Sequence, residues 1–277
     1  MSKLRQQMIT LMERENYSAH TIKSYVHAVI GISRHYHRCP STLSDEEIGQ
    51  YLSHTRRRGC SWSTVNAIYN GIKWFHTRVL DQPWNHRQLP RPKKEKRLPQ
   101  VLSRAEVKRL IEAVDNLKHQ TALMVMYSAG LRSGEVVRLK PSDIDSDRML
   151  IRIEQGKGKK DRYTLLSASV LIQLRKYWKQ YRPNDWLFEG ADRKEHWSIS
   201  SLRHVFNRAV KKAEIHKSVS SHVLRHSFAT HLLEQGVDVL TIKELLGHNQ
   251  FRTTAIYLHV QKANLSKVAN PIDQLFR

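Results

Sequence analysis

Apolar residues recur at three- and four-residue intervals along the first eighty positions, a period that predicts amphipathic helices rather than strands. Four helices are expected, over residues 2–15, 18–37, 44–58 and 61–80. Ser44 with Glu47 forms a capping box opening the third, Ser18 can cap the second, and Ser61 or Ser63 the fourth. Pro40 separates the second helix from the third. In the fourth, Val65, Ile68, Tyr69, Ile72, Trp74 and Phe75 cluster at helical spacing, so the stripe is predicted to be core rather than a base-stacking surface.

The pattern breaks at residues 89–99, where three prolines deny helix continuity and a basic run resists burial. An interdomain linker is expected there, with an N-terminal domain over 1–90, the linker proper over 91–99 and a second domain over 100–277. Ser103 and Glu106 form another capping box, predicting a helix to about Asn116, and a further helix should end at Gly130 with a glycine cap. Met149–Ile153 and Arg162–Leu165 flank a Gly-Lys turn and read as a hairpin, while the rest of this half reads as helical. The fold class expected is therefore mainly α with one small antiparallel sheet.

Charge narrows the partners. The 47 Lys and Arg against 25 Asp and Glu give a net charge of +22, which favours a polyanion and salt-dependent binding. Residues 1–90 hold 12 of the basic and 6 of the acidic side chains, so both halves are basic, as suits a clamp closing on a duplex from two sides. Cys39 and Cys60 make no CxxC pair, which points to a reducing compartment. No stretch is apolar and long enough to cross a bilayer, and a cytoplasmic location is expected.

The segment from Ser220 to Val260 concentrates the candidate chemistry. His222, Arg225 and His226 stand at i, i+3 and i+4, so on a helix they share a face that could hold a phosphate. Gly247-His248 follows, and Tyr257 comes nine residues after that histidine. His222, His226 and His231 also raise a zinc site, but no cysteine or acidic ligand accompanies them at a metal-site spacing.

The order His-x-x-Arg, Gly-His, Tyr resembles the C-terminal box of the tyrosine recombinases, or phage integrase family, and most closely its Xer-like and integron-type members. Residues 129–135 (Ala-Gly-Leu-Arg-Ser-Gly-Glu) resemble the family's first arginine motif, and residues 156–162 (Gly-Lys-Gly-Lys-Lys-Asp-Arg) its lysine-bearing β-turn. The resemblance covers nearly the whole chain and implies a SAM-like core-binding domain at the N-terminus. It further implies a site-specific recombinase that cleaves duplex DNA through a 3′-phosphotyrosyl link, with no cofactor, metal or ATP, acting as a synaptic tetramer on paired sites.

Phosphodiester cleavage needs a nucleophile, neutralisation of the nonbridging oxygens and a proton for the leaving oxygen. By the resemblance Tyr257 is the nucleophile and Arg132 and Arg225 clamp the phosphate. Lys157 is matched to the general acid, with Lys159, Lys160 and Arg162 as basic neighbours, and His222 and His248 bind the phosphate or handle the tyrosine proton. Glu135 could hold Arg132 in position. His226 and His231 are assigned structural roles. The apolar tail through Ala263, Leu265, Val268, Ile272, Leu275 and Phe276 needs a partner, in cis or on a neighbouring protomer. Two other readings are a DNA-binding regulator that has lost cleavage and an enzyme like a type IB topoisomerase.

Overall fold

Helices α1 (Lys3–Arg14), α2 (Ala19–Tyr36), α3 (Asp45–Arg57) and α4 (Trp62–Arg78) stand where the apolar period places them. The computed structural model describes residues 3–93, 99–154, 161–247 and 254, and the chain divides into two units, Met1–Arg97 and Leu98–Arg277. Ser44 and Glu47 form the capping box at α3, Ser18 accepts from the Thr21 amide at α2, and Ser61 rather than Ser63 caps α4. Val65, Tyr69, Ile72, Trp74 and Phe75 are all buried, so the α4 stripe is core as expected. One face of that core joins Met8 and Met12 of α1 to Trp74 and Phe75, and another gathers Ile32, Ile48, Tyr69 and Ile72.

The segment beyond α4 differs from a free linker. Trp84 Nε1 donates to the Tyr69 hydroxyl (3.0 Å), which in turn donates to the Leu89 carbonyl (3.2 Å). Trp62 Nε1 then donates to the Pro92 carbonyl (3.1 Å) and Arg91 Nε to Asn66 Oδ1 (3.0 Å), so residues 89–92 lie docked on α4. Proline withholds an amide donor but keeps its carbonyl, and that carbonyl is what Trp62 uses.

The second unit runs α5 (Arg104–Glu112), α6 (Leu117–Ser128), α7 (Ser133–Val137), β1 (Ile144–Asp145), β2 (Leu150–Ile153), β3 (Arg162–Leu165), α8 (Ala168–Tyr181), α9 (Ile199–Lys212), α10 (His222–Glu234) and α11 (Val239–Leu246). The strands form an antiparallel sheet in the order β1-β2-β3, with Ile151 opposite Thr164 and Ile153 opposite Arg162. The predicted hairpin strands are present, and β1 is an addition.

Two expectations shift. Helix α5 stops at Glu112, because Asn116 turns its side chain to the His119 amide and caps α6 instead of continuing α5. The interval from Arg182 to Ser198 is not helical: the Arg182 backbone is left-handed, and one isolated bridge joins Glu189 to His196. There the Glu189 carboxylate accepts from the Asn184 amide and from Arg193, and the Tyr177 hydroxyl donates to the Leu187 carbonyl. Helices α6 and α10 are buried on nearly every side, which is why neither shows a clear apolar stripe. They form the centre of the unit and deliver the chain to the candidate site.

Candidate active site

Leaving α6, the chain turns at Gly130 and places Arg132 at the N-cap of α7. Glu135, one turn on, reaches back: it accepts the Arg132 amide at 2.8 Å and Arg132 Nη1 at 2.6 Å. Helix α10 starts beside it, since Ser221, the residue before His222, bonds Ser133 Oγ to Oγ at 2.9 Å with both side chains buried. That contact sets Arg132 and His222 at the adjoining starts of two helices, where backbone N–H groups favour an anion. Arg225, one turn into α10, is almost fully buried; it donates to the Gly130 carbonyl at 2.7 Å and to that of Leu246, and Nη1 stands 3.8 Å from Glu135.

A third arginine, not singled out for this role in the sequence, completes the cluster. Arg162, the first residue of β3, grips Glu135 with both terminal nitrogens at 2.9 and 2.8 Å and donates Nε to the Leu245 carbonyl at 3.0 Å. It passes directly under Gly247, whose φ is +61° and where an added Cβ would lie 2.6 Å from Arg162 Cδ. Only glycine meets both demands there. Burial by itself would raise the Glu135 pKa, but the hydrogen bonds and charge of Arg162, joined by Arg132, hold it at about 2. The carboxylate is thus ionised at neutral pH, yet three guanidiniums outnumber it. Of these side chains Arg132 is the most exposed, at 20% against 10% for Arg162 and 3% for Arg225, so Arg132 presents the surplus charge.

His222 is exposed as a residue, yet the packing around its ring lowers its pKa, and the charges of Arg225 and Arg132 lower it further. It is accordingly neutral near pH 7, able to accept or donate one proton. His226 is pushed down to about 4, first by burial and then by His222 and Arg225. His231 is buried and pairs through Nδ1 with the Tyr127 hydroxyl at 2.9 Å. The structure therefore brings Arg132, His222 and Arg225 together. Lys157, His248 and Tyr257 lie outside the described residues. Among the described residues no group of three or more His, Cys, Asp or Glu side chains could hold a metal ion, and no helix is long and apolar enough to cross a membrane.

Comparison with known proteins bears on the whole chain. Residues 100–264 match the Phage integrase family, and residues 4–86 match the Phage integrase N-terminal SAM-like domain. The chain belongs to the phage integrase family. Protein y4qK of Sinorhizobium fredii is 40% identical over 283 aligned residues, covering 100% of this chain and 91% of its own. The tyrosine recombinase XerA of Thermococcus kodakarensis is 35% identical over 264 residues, covering 93% of this chain and 91% of its own. A crystal structure of lambda integrase residues 75–356, a dimer bound to a COC′ core site, superposes with a TM-score of 0.78 at 19% identity and covers 95% of this chain and 96% of that one. The integrase assignment is consistent with the expected fold class, mainly helical with a small antiparallel sheet behind a SAM-like N-terminal domain.

Proposed function

We propose that this integrase breaks and rejoins duplex DNA at specific paired sites through a covalent 3′-phosphotyrosyl intermediate. The observation that carries the reading is the convergence of Arg132, Arg225 and His222 at two helix starts around a carboxylate that cannot neutralise them. Such a surplus of fixed positive charge suits the nonbridging oxygens of a phosphodiester as negative charge builds on them. Arg132 contacts the phosphate directly, while Arg225 contributes charge from beneath. The Tyr257 oxygen attacks phosphorus, the bond to the 5′ oxygen breaks, and Lys157 gives that oxygen its proton. His222 or His248 takes the tyrosine proton. One phosphodiester is exchanged for another, so rejoining by the reverse path needs no ATP. Two such exchanges between sites require several protomers, and the tail after Tyr257 is the segment we assign to coupling them within a tetramer.

A suicide substrate, nicked so that the cleaved strand diffuses away, tests the reading. Wild-type protein is expected to form a covalent adduct in excess EDTA, and Tyr257→Phe to bind the same DNA within about twofold while forming none. An adduct that persists in Tyr257→Phe would assign the attack to another residue. Absence of adduct from the wild type would favour a DNA-binding regulator.

A further inference from the structure

We propose that Arg162 is a positioning residue that ties three parts of the active site into one unit. It is not a DNA contact, although its place in a basic hairpin suggests one. The inference rests on the recombinase reading above.

The geometry supports an internal role. Arg162 is spent on protein partners: both terminal nitrogens on Glu135, Nε on the Leu245 carbonyl, and its methylene stem against Gly247. The contacts fall on two catalytic segments, and Arg162 itself stands on a third. Glu135 fixes the backbone and guanidinium of Arg132. Leu245 and Gly247 close α11, and the next residue in the chain is His248. Arg162 itself opens β3, five positions after Lys157. A bidentate fork is directional, so it fixes angles as well as distances between the segments it joins. Only 10% of the Arg162 side chain is exposed, leaving little of it for a phosphate. A lysine would keep the charge but lose the fork.

Single-turnover cleavage of the suicide substrate at saturating DNA separates the possible roles, because the rate constant reports folded molecules and the amplitude their fraction. Arg162→Lys is expected to cleave about 10- to 100-fold more slowly, the usual cost of losing a supporting contact behind an active site. Its DNA affinity should stay within about threefold, and the dependence of log affinity on log salt should keep its slope. An unchanged rate constant with lower amplitude would reduce Arg162 to ordinary stability. Because lysine keeps the charge, the salt slope is decided on Arg162→Gln, where weaker binding with the slope reduced by about one would make Arg162 a phosphate contact. Either result overturns the proposal. Should Arg162→Lys yield no folded fraction, Arg162→Gln must show the same slowing at retained affinity, and its failure to do so overturns the proposal equally. If wild-type protein forms no adduct, the recombinase reading fails first.

Discussion

Glu135 is worth more to this molecule ionised than its surface acids are, and the consequence is measurable in acid. Its folded pKa of about 2 lies below the 4.5 of an unperturbed glutamate, so the unfolded chain binds the proton more readily. The stability it contributes is complete above pH 4.5 and is lost as pH falls towards 2, on the order of 3 kcal/mol in all. Glu135→Gln should therefore unfold at lower urea than wild type at pH 6, with the gap narrowing below pH 4.5, to roughly half by pH 3, and closing only near pH 2. A gap that stays constant with pH would show that the charge is not what Glu135 supplies. The Arg132–Glu135 pair was legible in the sequence because three residues on a helix start bring side chains together. Arg162 meets Glu135 across 27 positions, Ser133 meets Ser221 across 88, and Tyr127 meets His231 across 104. No local period encodes such meetings. A run of basic residues reads as a surface for DNA, and only the folded chain turns one of them inward.

Among the elements, α2 and α4 cross closely at Gly71. A Cβ at Gly71 would meet Ala28 Cβ at 2.9 Å and the Tyr25 backbone at 3.0 Å, so the two helices approach at the distance a hydrogen atom permits. Gly71→Ala improves helix propensity and in an exposed helix would stabilise it. Here it is expected to destabilise the N-terminal unit by roughly 1–3 kcal/mol through overpacking, read as a lower urea midpoint. A midpoint at or above wild type would mean that α2 and α4 separate without cost. Helix positions were legible because the apolar period and the serine caps agree. The end of α5 was not: Asn116 fits a helix end and a helix start equally well until its carbonyl oxygen chooses the His119 amide. The stretch after α8 misled for a different reason. Its order comes from the buried Glu189 and its partners, which leave no periodic trace.

For the whole molecule the governing quantity is the charge of +22, spread over both halves. DNA affinity should fall steeply with salt, and residues 1–92 and 99–277 prepared separately should each bind more weakly than the intact chain, since tethering raises the effective concentration of the second contact. Salt titrations of the three proteins measure this; one fragment matching the full chain would exclude a two-sided grip. A boundary was expected at a proline-rich basic run, and the first residues of that run are held by Trp62 and Tyr69, a pairing of indole and phenol with distant carbonyls that composition does not reveal. That arrangement also makes the boundary visible to light. Trp84 is buried with its indole N–H on Tyr69, and Trp62 is anchored to Pro92. Peeling residues 84–92 away would hydrate both indoles at once and move their emission to the red, while the four helices kept their circular dichroism. Of the six natural tryptophans, Trp62 and Trp84 would carry this red shift, and so report whether DNA binding loosens residues 84–92 from α4.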